Sequence, residues 1–202
     1  MRQVLVIHGG DTFQTQEECL AVLKEKTVTL EDFQRSGWKS GLQSALGDSY
    51  AAYIPSMPNK QNARYIEWKV WFEKLIALMD DGVILIGHSL GGAFLAKYLS
   101  TERCPRRIGA VFLIAPCYDE QSKNDGRREY LGAFLPPKDK RLFSEQAGKI
   151  FLYHSKDDAI VPFSSLADYQ EDLPMAIVQI FENRGHFLGE EFPELVDAIR
   201  SL

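Results

Sequence analysis

The sequence has few cysteines and no long apolar run, and these two deficits exclude several classes of protein. Its 202 residues include 3 cysteines at wide spacing, Cys19, Cys104 and Cys117. An odd, dispersed set of this kind indicates reduced thiols in the cytoplasm rather than a disulfide framework or a metal site. No stretch approaches the ~18 apolar residues that a membrane-spanning helix needs. The short run from Val4 to Ile7 is interpreted as a first strand and not as a signal peptide.

Positive charge is also scarce. Lys and Arg number 23 against 28 for Asp and Glu, which gives a formal net charge of −5 with no basic stripe. Nucleic-acid binding is therefore not expected. No internal repeat, low-complexity tract or linker is visible, and 45% of the residues are hydrophobic. Chains of this length and composition build one sizeable core, so we predict a single domain over residues 1–202.

Apolar runs rich in branched residues alternate with helical patterns along the whole chain. This alternation predicts a three-layer α/β/α sandwich with a mostly parallel sheet of about six strands. Thr15 and Glu18 have the spacing of a capping box, which predicts the start of a helix there. The predicted strands are 4–7, 50–54, 83–86, 108–115, 149–154 and 175–181.

Residues 118–148 form the longest stretch without clear strand or helix periodicity. Long irregular segments inside compact domains are usually functional loops. We interpret this segment as a lid or insertion, and a solvated surface loop is the alternative.

One strand ends in a motif that carries chemistry. The apolar run from Val83 to Ile86 leads into Gly87-x-Ser89-x-Gly91, and an amphipathic helical pattern follows. Strand, sharp turn and helix in this order are typical of a nucleophile elbow. The flanking glycines leave room for a turn so tight that side chains there would strike neighbouring backbone. The serine hydroxyl then projects beside the N-terminus of the next helix.

Polar groups that could assist Ser89 follow other strands of the predicted sheet. Because all parallel strands end at one edge, these groups are expected to converge there. His186 is suited to accept the serine proton, and a carboxylate on its far nitrogen would orient it. The backbone N–H groups of Gly10 and Leu90 are candidate donors to an oxyanion. The groups that follow strands are His8-Gly9-Gly10, Ser89, Asp157-Asp158 and His186.

Several assignments stay open on these residues alone. Asp157 and Asp158 are nearly equal candidates for the carboxylate, since one could cap the following turn while the other faces the histidine. His8 either lines the oxyanion loop or is a polar turn residue. We expect His88 to pack inside the elbow rather than react. Cys117 follows a strand and is interpreted as a buried, inert thiol.

The ordered motifs make the sequence resemble the α/β-hydrolase superfamily. They are the elbow at 87–92, the acidic loop before Val161-Pro162, and Gly185-His186. The resemblance extends to the small serine hydrolases of the YdeN-like and retinoblastoma-binding group. Alignment of the acidic loop with its usual esterase form implies Asp158 as the acid. Ser155 departs from that form, because a glycine is usual at its position.

The resemblance implies serine-hydrolase chemistry on a small acyl ester, thioester or amide. Ser89 would attack the carbonyl, His186 would move the proton, Asp158 would orient His186, and the amides of Gly10 and Leu90 would hold the oxyanion. No metal or organic cofactor is implied. The rival expectation is a protein-binding module that keeps the fold with little turnover. Acyl transfer to an acceptor other than water shares the same first step.

Overall fold

The fold is organised around six parallel strands in the order β2-β1-β3-β4-β5-β6. We analysed a computed structural model, which describes residues 1–34, 37–120 and 130–202. The strands are β1 (Arg2–Ile7), β2 (Tyr50–Tyr53), β3 (Val83–His88), β4 (Ile108–Ile114), β5 (Ile150–Ser155) and β6 (Ile177–Phe181). The helices are α1 (Gln16–Glu25), α2 (Glu31–Gln34), α3 (Trp38–Leu46), α4 (Tyr65–Ala77), α5 (Leu90–Thr101), α6 (Arg141–Gln146), α7 (Ser164–Asp172) and α8 (Pro193–Arg200), with a 3₁₀ turn at Gly132–Phe134.

The sheet confirms the predicted α/β/α sandwich, and its pairs are all parallel rather than mostly so. The central strands are buried on both faces, as their continuous apolar runs predict. Chain order reverses between β1 and β3, which lie side by side with Val4 opposite Ile84. This switch point brings the loop after β1 next to the loop after β3, and ligands of such sheets bind at this place.

Alternate side chains of each strand enter two separate cores. Leu5 of β1 packs on the face covered by α4, α5 and α7, where Trp68 and Phe72 are fully buried. Val4 packs on the other face, where Trp38 of α3 and Leu195 of α8 meet the sheet. The period of two along a strand therefore divides the apolar residues between two helical layers.

Local signals account for several helix ends. Thr15 accepts a hydrogen bond from the Glu18 N–H while the Glu18 carboxylate accepts from the Thr15 N–H, so the predicted capping box is present. Thr29 and Asp32 make a similar contact before α2. Among the described residues, no helix combines the length and apolar character needed to cross a membrane.

The segment 118–148 contains more regular structure than its sequence indicated. The 3₁₀ turn and α6 span three and six residues, and bury Phe134 and Phe143. Elements this short contain too few positions for a helical period to be visible in the sequence. Residues 121–129 of the predicted lid lie outside the described part of the chain.

Both described parts of this segment, 118–120 and 130–148, are bonded to α7. The Tyr118 hydroxyl donates to Oδ2 of Asp172 at 2.7 Å, and the fully buried Lys140 ammonium contacts the same oxygen. The Lys140 ammonium also donates to the carbonyl of Pro137. Burial lowers the pKa of Lys140, which leaves the paired carboxylate as the group that stabilises its charge.

Candidate active site

The turn after β3 has the backbone conformation of a nucleophile elbow. Ser89 has φ 55° and ψ −122°, a left-handed conformation that is strained for a residue with a side chain. A Cβ atom on Gly87 would lie 2.5 Å from the Gly91 carbonyl oxygen, and one on Gly91 would overlap the Ile7 carbonyl oxygen. The glycines are therefore required by close backbone approach, as predicted for the elbow.

The Ser89 hydroxyl lies in a small buried space beside Cys117. Its oxygen is 4.0 Å from the Cys117 sulfur. Gly9 adjoins it from the other side, where an added Cβ would be 3.2 Å from Cβ of Ser89. Within the described ranges, the hydroxyl makes no hydrogen bond to His186. Catalytic hydrogen bonds are often absent or long without substrate, so this orientation does not exclude Ser89 as the nucleophile.

His186 is paired with a buried carboxylate. Its Nδ1 lies 2.8 Å from Oδ2 of Asp158, whose side chain is fully buried. The other oxygen of Asp158 accepts the backbone N–H groups of Ile160 and Val161 at 2.8 and 3.0 Å. Three donors thus fix the carboxylate in orientation. The contact with His186 favours the tautomer that carries the proton on Nδ1.

Asp157 has a different set of partners. Its Oδ1 accepts the Ser155 hydroxyl at 2.5 Å and the Gly185 N–H at 2.8 Å. The bond from Ser155 is the largest cause that lowers the pKa of this carboxyl, and the Gly185 amide adds to it. The Ser155 hydroxyl oxygen also accepts the Arg184 N–H at 2.9 Å. Ser155 and Asp157 therefore hold the backbone just before His186, whereas the carboxylate of Asp158 contacts the imidazole itself.

A second buried histidine adjoins the same carboxylate. Nε2 of His154 lies 3.1 Å from the Val161 carbonyl oxygen and 3.8 Å from Oδ2 of Asp158. Burial lowers the pKa of His154 below the ordinary value for histidine. We interpret it as a neutral packing residue that donates to Val161 and supports the acidic loop.

The loop after β1 faces the elbow from the adjacent strand. His8 donates from Nδ1 to the Gly9 carbonyl oxygen at 2.5 Å and accepts the Met57 N–H at Nε2, 2.8 Å away. Burial lowers the pKa of His8, in keeping with this neutral tautomer. An added Cβ at Gly10 would lie 2.7 Å from the Lys60 carbonyl oxygen. His8 therefore fixes the backbone of the loop in which Gly10 lies.

Leu90 is the first residue of α5, directly after Ser89. The first N–H groups of a helix have no partner within it and carry a partial positive charge. The N–H groups of Leu90 and Gly10 belong to adjacent loops at the switch point. This is the relationship that a two-donor oxyanion site requires.

The buried His88 and the half-buried Lys39 form a pair that the sequence did not indicate. Nε2 of His88 lies 2.8 Å from the His186 carbonyl oxygen, and the two rings are 4.9 Å apart. Nδ1 of His88 lies 3.1 Å from the Lys39 ammonium. Burial lowers the pKa of Lys39 to about 8. His88 was expected only to pack, and no sequence pattern connects Lys39 with a residue 49 positions away.

The site contains no obvious place for a metal ion. Within the part of the chain that the structure describes, no three His, Cys, Asp or Glu side chains are grouped so that they could hold one.

Comparison with known proteins agrees with this geometry. The serine hydrolase family profile matches residues 29–193, which is most of the chain. YdeN of Bacillus subtilis (strain 168) is 26% identical over 147 residues, covering 72% of this chain and 75% of YdeN. Serine hydrolase RBBP9 of Rattus norvegicus is 25% identical over 167 residues, covering 82% and 84%.

Solved structures show the same fold. The crystal structure of the ydeN gene product from B. subtilis superposes with a TM-score of 0.77 at 23% identity, covering 100% of this chain and 98% of the other. The methylesterase MES16 from Arabidopsis superposes with a TM-score of 0.62 at 14% identity, covering 100% of both chains. The family profile, which matches most of the chain, shows that it belongs to the serine hydrolase family, and the solved structures show that it has the α/β-hydrolase fold.

Proposed function

We propose that this hydrolase cleaves a small acyl ester, thioester or amide through a triad of Ser89, His186 and Asp158. The observation that carries the proposal is the 2.8 Å contact between His186 Nδ1 and the buried Asp158 carboxylate, next to a strained serine elbow. A neutral imidazole held this way presents Nε2 as a base. The family supports hydrolysis, and the assignment of roles to these residues is our own.

In the first step, the Ser89 hydroxyl turns from Cys117 toward Nε2 of His186 and attacks the substrate carbonyl. The oxygen–carbon bond forms as the hydroxyl proton passes to His186, and the carbonyl π electrons move to oxygen. The oxyanion accepts the N–H groups of Gly10 and Leu90. His186 then protonates the leaving group, and an acyl-Ser89 intermediate remains.

In the second step, water attacks the acyl group while His186 takes its proton. Collapse of the second tetrahedral intermediate returns the proton to Ser89 and releases the carboxylic acid. Transfer to an alcohol or amine would use the same intermediate. We favour water because the chain belongs to a hydrolase family.

The chain is proposed to act as one domain, with residues 118–148 as an insertion that borders the site. The Thr12 hydroxyl donates to the Tyr130 carbonyl, which supports a position beside the loop after β1. Cys19 and Cys104 are free thiols, and this supports a reducing compartment such as the cytoplasm.

A fluorophosphonate probe tests the nucleophile. Wild type is expected to be labelled and Ser89→Ala is not. Ser100→Ala, which removes a hydroxyl bonded to the Ala96 carbonyl on the same helix, is the matched control and is expected to label normally. Equal labelling of the Ser89→Ala and wild-type proteins would refute the assignment.

A panel of p-nitrophenyl esters with short and long acyl chains tests turnover and acyl preference. We expect hydrolysis by wild type and a loss with Ser89→Ala. Absence of both turnover and probe labelling in the folded wild-type protein would instead favour the rival function, a binding module with the hydrolase fold.

A further inference from the structure

The loop that carries His186 accepts hydrogen bonds at three of its carbonyl oxygens. Residues 184–189 are called the histidine loop here. Nε2 of His88 lies 2.8 Å from the carbonyl oxygen of His186. Trp38, the first residue of α3, donates its indole N–H to the Phe187 carbonyl at 3.0 Å and its backbone N–H to the Gly189 carbonyl at 2.8 Å. The elbow and α3 thus hold three carbonyls of one short loop.

The histidine loop needs such restraint because its backbone is left-handed on both sides of His186 and is strained at Phe187. Gly185 has φ 51° and Phe187 has φ 53°. A left-handed conformation at a non-glycine residue such as Phe187 is unfavourable and persists only where the surroundings enforce it. The donors from His88 and Trp38 supply that enforcement.

The contact with the His186 carbonyl determines the protonation of His88. A carbonyl oxygen only accepts hydrogen bonds, so Nε2 of His88 must carry hydrogen. In a neutral ring, Nδ1 is then an acceptor, and the Lys39 ammonium 3.1 Å away is its donor. If the proton moved to Nδ1, it would face the ammonium and the His186 carbonyl would lose its donor.

Charges around the pair favour the neutral ring. Burial lowers the pKa of His88 well below the ordinary value, and nearby Lys39, His186 and His8 lower it further. The Lys39 ammonium lies 4.6 Å from the centre of the Trp38 ring. No carboxylate of the described residues forms an ion pair with it. A half-buried ammonium without a carboxylate partner loses part of its hydration, and His88 is the hydrogen-bond acceptor that it meets.

We propose that Lys39 is a positioning residue that fixes the Nε2–H tautomer of His88. In this tautomer, His88 donates to the His186 carbonyl and so orients the His186 imidazole. The effect on turnover rests on the proposed function, because it presumes that His186 is the base. The tautomer itself is a property of the folded protein and does not depend on that function.

A double-mutant cycle tests the route through His88. Lys39→Met is expected to lower kcat with a p-nitrophenyl ester by about tenfold, the order of one hydrogen bond to a charged group, with KM within twofold. His88→Gln places an amide N–H near the position of Nε2, and an amide has no tautomer to fix. In the His88→Gln background, Lys39→Met is therefore expected to change kcat less than twofold. Equal losses in both backgrounds would refute the proposal.

Lys97→Met is the matched control, since Lys97 is also a partly buried lysine, 5.0 Å from the centre of the Tyr65 ring on the opposite face of the sheet. It is expected to leave kcat within twofold of wild type. If it lowers kcat as much as Lys39→Met does, the loss reflects general destabilisation and the proposal is wrong.

Long-range ¹H–¹⁵N correlation spectra of the histidine rings test the tautomer without any turnover. In the wild-type protein at neutral pH, His88 is expected to show a protonated Nε2 and an unprotonated Nδ1. Lys39→Met is expected to shift His88 toward a mixture of tautomers. A protonated Nδ1 in wild type, or an unchanged spectrum in the variant, would overturn the proposal. Unreactive wild type with the expected tautomer would instead refute only the proposed function.

Discussion

Asp158→Asn is the substitution that most sharply separates the two adjacent carboxylates. Asparagine keeps the size of the side chain and removes its charge. If its NH₂ group turns toward His186, it donates where Nδ1 already donates, and the imidazole must move its proton to the nitrogen that should accept from Ser89. If the NH₂ group turns the other way, it opposes the N–H groups of Ile160 and Val161.

The magnitude follows from the contacts. Loss of one hydrogen bond to a charged group costs about 1.5–3 kcal/mol, which is a factor of about 10 to 160. The wrong tautomer adds to that loss, and the same change in a serine protease triad lowers kcat by about 10⁴. We therefore expect kcat of Asp158→Asn to fall by about 10³ to 10⁴.

Asp157→Asn is the matched control on the neighbouring residue. Its carboxylate is exposed and bonds the Ser155 hydroxyl and the Gly185 N–H without touching the imidazole. We expect its kcat to fall by less than about tenfold, because the amide oxygen of asparagine can still accept both partly solvated hydrogen bonds, which are weakened rather than lost. Both variants are measured with a p-nitrophenyl ester, and thermal denaturation checks that each is folded. A larger loss for Asp157→Asn, or an Asp158→Asn variant within threefold of wild type, would refute the reasoning.

Three further predictions concern stability. Asp172→Ala leaves the buried Lys140 ammonium without its carboxylate, which costs about 3–5 kcal/mol, so Tm should fall by about 10 °C. Asp139→Ala, which breaks an exposed ion pair, should leave Tm unchanged, and equal shifts in the two variants would contradict the account. Gly41→Ala should raise Tm by about 2–4 °C, because an added Cβ on this exposed helical residue meets nothing within 4 Å; a lower Tm would contradict it. Wild-type Tm should fall as pH drops below the ordinary histidine range, since the half-buried His8 and the buried His88 and His154 have lowered pKa values and the unfolded chain binds more protons there. His88→Gln removes one of them and should flatten the fall between pH 7 and 5; an equal slope would contradict this origin.

The sheet was predictable because strand signals are local. A continuous apolar run such as Val83 to Ile86 identifies a buried strand, and parallel topology then places every strand end at one edge. The elbow was predictable because its motif is short and contiguous in the sequence. Its glycines are required by close backbone contacts between β3 and α5 and with the end of the adjacent strand β1. The short helix α6 was missed because six residues contain less than two turns.

The supporting contacts of the site were not predictable, because they join residues far apart in sequence. Lys39 reaches His88 across 49 positions, and Trp38 reaches the Phe187 carbonyl across 149. No periodicity or motif relates such residues. The choice between Asp157 and Asp158 likewise needs three-dimensional geometry, since both follow β5 and only their side-chain directions differ.

The acyl-enzyme intermediate is the most direct test of the central claim, that Ser89 is a nucleophile activated by His186. Wild type is mixed with p-nitrophenyl acetate, quenched in acid during the first turnovers, digested and analysed by mass spectrometry. We predict an acetyl group on Ser89, and its loss when His186→Ala is treated in the same way. An unmodified Ser89 in wild type that releases p-nitrophenol with a burst, or acetylation of Cys117 in its place, would contradict the account.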